Sequence, residues 1–246
     1  MSPLDPAGPA QTAVDRVADA VRTDILSGVL AADEPLREEA AAERFGVSRH
    51  TVRAAFQRLV AERLAVALPY RGVRVASFDR NTVIALQQLR AALEVEAVRI
   101  AGARFGVAWP DAALAPARAA LEQLEALGRL AAPDGPADST DAPQAPGTRA
   151  QEPATRSEEA VDWMEAERIH AEFHRALVAA SESPRIIEAH DALGSELLLF
   201  LLHVRPHYTL ASLIAEHRAL LDDLPSRGGE AVREHLERST RLLVGG

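Results

Sequence analysis

The sequence predicts a mostly α-helical protein of two domains, in which three helices and a β-hairpin precede an all-helical bundle. Two patterns predict this fold class. Apolar residues recur at the three-to-four-residue spacing of amphipathic helices through most of the chain. Short β-like runs, by contrast, occur only between residues 65 and 75. With 246 residues the chain is long enough for two domains that each bury a core.

Three predicted helices follow a Pro-rich N-terminal tail over residues 1–11 that we expect to be disordered. In residues 12–30 apolar side chains form a helical stripe that Ser27 and Gly28 end. The second helix covers residues 37–45, and Gly46 closes it, since glycine favours the conformation that ends helices. The third begins after Ser48, a good N-cap residue, and runs to about residue 62.

A predicted hairpin comes after the third helix. Residues 65–68 and 73–75 are β-like, and the turn residues Pro69, Tyr70, Arg71 and Gly72 lie between them. This order of elements predicts a winged helix-turn-helix, in which a tight glycine turn joins the second and third helices and a two-stranded wing follows them. We assign this domain to residues 12–78.

Residues 79–246 are predicted to form an all-α helical bundle. Several of the expected helices open on Thr, Ser or Pro, and they cover residues 82–105, 111–131, 158–180, 184–203, 209–224 and 229–243. Residues 132–157 are rich in Pro, Gly, Asp, Ser and Thr and lack apolar periodicity, which predicts a disordered insertion. A linker between two further domains is the alternative.

Composition narrows the class of protein. The absence of cysteine excludes disulfides and thiolate metal sites. No apolar stretch reaches the roughly 18 to 20 residues that a membrane span needs, so we expect a cytoplasmic protein with no membrane partner.

Residues 1–78 hold 10 Arg and 10 acidic residues, whereas residues 79–246 hold 17 Arg and 26 acidic residues, which accounts for the net charge of −9. The first domain is therefore neutral, and the placement of its arginines decides whether it binds nucleic acid.

The start of the third helix carries the predicted DNA contacts. Apolar neighbours hold this helix against the other two, which leaves five polar residues on its exposed N-terminal turns, where a recognition helix meets base edges and phosphates: Ser48, Arg49, His50, Thr51 and Arg53. Arg49 and Arg53 share one helix face, and either suits the O6 and N7 atoms of guanine. The alternative is that these residues are ordinary solvated charges.

Over residues 14–75 the sequence closely resembles the GntR family of bacterial regulators. The matching stretches are Ile25-Leu26-Ser27-Gly28, Leu36-Arg37-Glu38, Phe45-Gly46-Val47-Ser48-Arg49, Val52-Arg53-Ala54-Ala55 and Arg71-Gly72-Val73. The resemblance implies that Ser48, Arg49, Thr51 and Arg53 contact the operator and that the wing tip does so as well. The predicted DNA-binding set also includes Arg37, His50 and the wing-tip residues Tyr70, Arg71 and Gly72. At the position of His50 the family often has a different small residue.

The helical half resembles the FCD type of effector domain found in the FadR subfamily, over about residues 82–243 without the insertion. The matching stretches are Leu89-Arg90-Ala91-Ala92-Leu93-Glu94, Phe173-His174-Arg175-Ala176-Leu177, Glu216-His217-Arg218 and His235-Leu236. The resemblance implies a homodimer whose C-terminal domains bind a small organic acid, often beside a metal ion. Because two-fold proteins favour palindromic sites, we expect the double-stranded DNA operator to be an inverted repeat.

Four histidines are the predicted metal ligands: His170, His174, His217 and His235. The first two stack on one helix face, and the others lie on later helices that a bundle brings alongside. The family usually has Asp at the position of His170 and separates its two final histidines by about one more helical turn. An imidazole set favours Zn²⁺ or Ni²⁺. The alternative is that three histidines and waters hold the ion while His170 stands back.

Arg90 and Arg205 are predicted to bind the carboxylate of the effector, because a planar guanidinium holds a carboxylate through two hydrogen bonds. Arg90 lies in a family-like stretch, and Arg205 lies at a helix end that faces the same core. The alternative is that both arginines make ordinary ion pairs on the helix surface with residues such as Glu94.

These patterns predict a DNA-binding transcription regulator, a repressor, whose operator affinity is controlled by a small organic or sugar acid. A metal-free sensor of the acyl-CoA type is the alternative. A metalloenzyme is disfavoured, because the chain has no His-Glu-x-x-His signature, glycine-rich phosphate loop or Ser or Cys nucleophile motif. We therefore expect a protein that is not an enzyme.

Overall fold

The computed structural model describes residues 11–106, 108–131, 161–204 and 209–244. It divides into two compact units, a first unit of Met1–Val83 with Ala192–His203 and a second unit of Ile84–Asp191 with Val204–Gly246. The predicted insertion over residues 132–157 lies outside the described residues, as does the predicted N-terminal tail apart from Gln11.

The described residues form ten helices and three strands. The helices are α1 (Ala13–Leu26), α2 (Glu38–Phe45), α3 (Arg49–Ala61), α4 (Arg80–Phe105), α5 (Asp111–Ala131), α6 (Trp163–Ala179), α7 (Pro184–Asp191), α8 (Gly194–Val204), α9 (Leu210–Arg227) and α10 (Gly229–Val244). The strands are β1 (Pro35–Leu36), β2 (Ala65–Leu68) and β3 (Gly72–Val75). The prediction of a winged helix-turn-helix followed by a helical domain is confirmed.

Local hydrogen bonds define the ends of the first three helices. Thr12 and Asp15 form a capping box at the start of α1, each side chain accepting from the backbone N–H of the other. Gly46 ends α2 in the left-handed conformation with φ 63°. Ser48 caps α3 by accepting from the backbone N–H of Thr51 at 3.1 Å. The tight turn between α2 and α3 therefore follows from local sequence.

The wing belongs to a three-stranded antiparallel sheet in the order β1-β3-β2. Ala65 pairs with Val75 across β2 and β3, and Pro35 of β1 pairs with Arg74 of β3. The sequence predicted the two strands of the wing but not the third strand of the sheet, β1, which has only two residues. A strand of that length is too short to show the alternation that identifies a strand.

The apolar stripe of α3 turns inward. Val52, Phe56 and Leu59 are at most 2% exposed, and they pack in one cluster with Val17 and Val21 of α1. Burial of each large apolar side chain contributes about 1.5 to 3 kcal/mol. Because this stripe is buried, the polar residues at the start of α3 face solvent.

Helix α8 packs in the first unit. Leu199 lies in the same apolar cluster as α3, and the ring of Phe200 meets that of Phe78 edge to face at 5.7 Å. The prediction of one helix over residues 184–203 is wrong, since the chain turns at residues 192 and 193. Gly194, a poor helix former, begins the new helix, and the turn separates α7 in the second unit from α8 in the first.

The second unit is an all-α bundle. Its core includes Leu124 of α5, Phe173 and Leu177 of α6, Leu224 of α9 and Leu236 of α10. Helix α9 continues through Pro225 to residue 227, three residues beyond its predicted end, although Pro225 has no N–H to bond to the carbonyl four residues before it. Among the described helices of both units, none combines the length and apolar character that a membrane span requires.

Candidate metal centre and candidate nucleic-acid interface

The first candidate site is the start of α3 with the residues around it. Ser48, Arg49, His50 and Arg53 are exposed and Thr51 is half-buried. Arg37 is also exposed, directly before α2. Backbone N–H groups and the positive end of the helix dipole favour anions at this end of a helix. The N-terminal turns of α3 therefore present cationic and hydroxyl groups to solvent, as the sequence predicts.

Two glutamates of α2 bind the two arginines of α3. Arg53 donates from Nε to Oε1 of Glu38 at 3.0 Å and from Nη2 to Oε2 at 2.7 Å, and Arg49 donates to Glu39. The hydrogen bond from Arg53 lowers the pKa of Glu38, so the carboxylate stays ionised. Sequence reasoning did not single out these glutamates, because each pair joins separate helices and only the helix-turn-helix packing brings them together.

The tip of the wing presents an aromatic ring and a guanidinium to solvent. Tyr70 is fully exposed and has φ 62°, a left-handed conformation that is unusual for a bulky residue. Arg71 beside it is also exposed. Gly72 follows with φ 77°, which glycine adopts without steric cost. The strain at Tyr70 is of the kind that tends to mark functional positions.

The second candidate site is a cluster of buried histidines in the second unit. His170 and His174 lie on α6 and His217 lies on α9, and each contributes a ligand atom within 4.8 Å of the other two. Nε2 of His174 is 3.0 Å from Nε2 of His217. Nε2 of His170 is buried without a hydrogen-bond partner. The structure therefore brings together three of the four predicted metal ligands.

Each of these histidines is oriented through Nδ1. Nδ1 of His170 is hydrogen-bonded to Oε2 of Glu167 at 2.9 Å. His174 donates to Oε2 of Glu94 at 2.8 Å, and His217 donates to the carbonyl oxygen of Leu213 at 2.7 Å. Because a carbonyl or an ionised carboxylate only accepts, Nδ1 of His174 and of His217 carries the proton, and Nε2 of each neutral ring carries a lone pair.

Burial keeps the rings neutral. It lowers the pKa of His170 and His217 well below the usual value and that of His174 to about 4. Neutral imidazole is the form that binds metals. Two lone pairs at the distance between His174 and His217 repel unless a cation lies between them, and metal–nitrogen bonds of about 2.0 to 2.1 Å place two ligands of one ion about 3 Å apart. The donor set therefore fits a divalent metal ion.

His235 of α10 lies against this cluster. Its ring centroid is 4.7 Å from that of His217 and 5.4 Å from that of His174, and its Nδ1 is buried without a hydrogen-bond partner. Burial lowers the pKa of His235 well below the usual value. His235 is not among the three histidines whose ligand atoms lie within 4.8 Å of one another. Its role as a fourth ligand therefore stays a prediction.

A buried carboxylate connects three helices behind the histidines. Oε1 of Glu94 accepts from Nε of Arg90 at 2.6 Å and lies 3.3 Å from Nε2 of His190, while Oε2 accepts from His174. Burial alone would raise the pKa of Glu94, but the charge of Arg90 and the hydrogen bonds of His174 and His190 hold it well below the usual value. Arg90 therefore pairs with Glu94, as the alternative to effector binding has it, but the pair lies in the core and not on the helix surface.

Arg90 also lines a cavity of about 20 Å³ beside His170, His217 and His235, which the hydroxyls of Ser212 and Ser239 also line. That space holds about one water molecule. A larger groove of about 660 Å³ lies between α4 and α10, but no histidine is among its described lining residues, so it is the smaller cavity that adjoins the histidine cluster. The other predicted effector residue, Arg205, lies outside the described residues.

Two protein families match the chain. Residues 13–75 match the family described as bacterial regulatory proteins, gntR family, and residues 85–241 match the FCD domain. The first match covers the helix-turn-helix and the wing. The second covers all four histidines of the cluster and Arg90.

Curated relatives and solved structures agree with these matches. The chain is 35% identical to the HTH-type transcriptional repressor GlaR of Escherichia coli over 106 residues, which are 43% of this chain and 48% of that protein. It is 25% identical to a probable D-xylose utilization operon transcriptional repressor of Paenarthrobacter nicotinovorans over 91% of this chain and 83% of that one.

Among solved structures, a GntR-type regulator from Rhodococcus sp. RHA1 superposes with a TM-score of 0.69 at 23% identity, over 95% of this chain and 98% of that chain. McbR/YncC of E. coli superposes with a TM-score of 0.60 at 18% identity, over the same shares. At these identities the structures support the fold alone.

Glu94→Ala tests the buried network. The substitution leaves the charge of Arg90 without its partner in the core, and we expect the free energy of unfolding of the second unit to fall by about 3 to 5 kcal/mol. Urea denaturation followed by tryptophan fluorescence measures this change, because Trp109 and Trp163 both pack in the core of the second unit. Glu96→Ala is the matched control, because its carboxylate lies on the same helix and pairs with the exposed Arg99, where loss of the pair has little effect. Equal losses in the two variants would contradict the prediction.

Proposed function

The chain belongs to the GntR family of bacterial regulatory proteins and carries its FCD domain, and from this premise we propose that it is a repressor whose operator affinity responds to a small carboxylate bound at the histidine cluster. Members of this family are transcriptional regulators and not enzymes, and this chain is a DNA-binding regulator of that kind. The observation that carries the sensing proposal is the meeting of three buried imidazoles whose ligand atoms lie within 4.8 Å of one another, each ring held by a hydrogen bond at Nδ1.

The DNA-binding part of the proposal rests on the exposed end of α3. Arg49 and Arg53 lie on one face and suit guanine or phosphate, while Ser48 and Thr51 donate to phosphates near the helix N-terminus. Arg37 and His50 extend this surface, and Tyr70, Arg71 and Gly72 of the wing reach the minor groove or the backbone. Because one such surface makes few base contacts, we propose a homodimer on an inverted repeat.

The sensing part of the proposal assigns a divalent metal ion to His170, His174 and His217, with His235 as the fourth ligand. Three or four neutral imidazoles with no carboxylate among them favour Zn²⁺ or Ni²⁺. When bound, the ion supplies a positively charged position that attracts a carboxylate. The ionised carboxylate of Glu94 lies directly behind the ligand His174, and its charge offsets the missing aspartate that the family usually has at the position of His170.

Arg90 is the proposed effector contact within the described residues. Its Nε is committed to Glu94, but a guanidinium has further N–H donors, and Arg90 lines the small cavity beside the histidines. The proposed effector class is a small organic or sugar acid, whose carboxylate the ion and Arg90 would bind. Because the cavity holds about one water molecule, the side chains around it must move apart to admit such an acid. The alternative of a metal-free acyl-CoA sensor is disfavoured by the buried Nε2 atoms, because such a sensor has no use for converging lone pairs.

Replacing both recognition-helix arginines tests the DNA-binding surface. In Arg49→Ala/Arg53→Ala we expect operator affinity to fall by about tenfold or more for each arginine, because base and phosphate contacts are both lost. Fluorescence anisotropy on a duplex selected by the wild-type protein measures this loss, and light scattering during size-exclusion chromatography should show a dimer. Arg99→Ala/Arg185→Ala removes the same charge from exposed positions of the second unit and should bind normally. Intact operator affinity in the first variant would refute the recognition surface.

Elemental analysis tests the metal proposal. Protein purified without an affinity tag should carry near-stoichiometric zinc or nickel, and His174→Ala/His217→Ala should carry none. Chelation should lower the melting temperature of the wild type and added Zn²⁺ should restore it, because a ligand of the native state stabilises by mass action. His50→Ala, which changes an exposed histidine of the first unit, should leave the metal content unchanged. Wild-type protein that stays metal-free and insensitive to added Zn²⁺ and Ni²⁺ contradicts the assignment.

A thermal-shift screen tests the effector class. Metal-loaded protein should be stabilised by a small carboxylate or sugar acid, and chelated protein much less so. Arg90→Lys keeps a positive charge beside Glu94 but removes the planar fork, so the shift should shrink while operator binding persists. Stabilisation by an acyl-CoA in the chelated protein, with none by small acids, would instead support the metal-free alternative.

A further inference from the structure

The ion pair between Glu38 and Arg53 has a geometry that leaves the outer edge of the guanidinium open. Glu38 accepts from Nε and from one hydrogen of Nη2. Guanine is bound through a pair of N–H groups that reach O6 and N7. The second hydrogen of Nη2 and those of Nη1 form such a pair, and in the described part of the chain no hydrogen bond engages Nη1. Glu38 therefore holds Arg53 without using the edge that reads a base.

We propose that Glu38 is a positioning residue that orients Arg53 towards a guanine and thereby sets the sequence specificity of this protein. The inference rests on the proposed function, in which Arg53 contacts the operator. It concerns a residue of α2 that is not itself one of the proposed DNA contacts.

Glu38 suits this role better than its neighbour Glu39. The side chain of Glu38 is 32% exposed and binds Arg53 through both oxygens, whereas that of Glu39 is 78% exposed and meets Arg49 through one oxygen. Two parallel hydrogen bonds fix the plane of a guanidinium, and a single one does not. Arg53 is therefore the arginine whose direction the fold constrains.

The charge of Glu38 adds a second contribution to specificity. Affinity for unrelated DNA comes from phosphate contacts, and a carboxylate on this face opposes phosphates whatever the base sequence. A guanine at the right position offsets that repulsion by accepting from the oriented Arg53. The carboxylate therefore weakens binding to all DNA but weakens it least on the correct site.

A brace between α2 and α3 is the competing explanation, because the same ion pair also joins these two helices. A brace and a positioning residue differ in one measurable quantity. Loss of a brace changes stability and lowers affinity for all duplexes together, whereas loss of the positioning residue changes the ratio between the correct site and others.

The experiment selects duplexes from a random pool with the full-length wild type, Glu38→Gln, Arg53→Ala and Glu43→Gln. Glu43 is exposed on the same helix, so its substitution removes an equal charge without touching the ion pair. Each variant is first checked for the wild-type circular dichroism spectrum and melting temperature. Affinities for the wild-type consensus and for an unrelated duplex are then measured at one salt concentration.

We expect the wild-type consensus to contain a guanine that Arg53→Ala no longer selects. Glu38→Gln should lose the preference for that same guanine, bind unrelated DNA more tightly, and lower the ratio of consensus to unrelated affinity by about tenfold. Glu43→Gln should keep the guanine and most of the ratio. If Arg53→Ala loses the guanine but Glu38→Gln keeps it, the positioning role is overturned while the proposed function stands. If Arg53→Ala selects and binds as the wild type does, the assignment of Arg53 fails, and the role of Glu38 fails with it.

Discussion

The candidate sensing site depends on one buried carboxylate, that of Glu94. An ionised group with no solvent exposure is tolerated only when charges and hydrogen bonds surround it, and Arg90, His174 and His190 supply them from α4, α6 and α7. This requirement fixes the positions of the three helices relative to one another. It also settles which nitrogen of His174 carries the proton, and so turns the other nitrogen towards His217.

Carboxylate–arginine ion pairs also occur on the first unit, where they contribute less to stability. Glu38 and Glu39 bind arginines of α3, but these pairs are exposed, and water and salt screen them. A carboxylate in the core is a permanent structural partner, whereas one on the surface can be exchanged for a phosphate or a base. Burial therefore decides whether an acid and its partner stabilise the fold or stay available to a ligand.

Local signals predicted most of the fold. Ser48 and Gly46 mark the ends of α3 and α2 because a cap is a contact within four residues, and the spacing of His170 and His174 predicted their shared face. Two features had no local signal strong enough to predict them. Strand β1 is too short for a pattern, and the turn at residues 192 and 193 breaks an apolar run whose helical periodicity continues on both sides.

The sequence by itself determined the class of protein, the two kinds of domain and the histidines and arginines on which both candidate sites are built. Those features rest on periodicity, caps and family stretches, which are read along the chain. Only the tertiary structure decided the partners: that Glu94 anchors a histidine 80 positions away, that Glu167 orients His170, and that Glu38 holds Arg53. The physical reason is that hydrogen bonds and burial act across space, and nothing in the order of residues states which side chains of separate helices will meet.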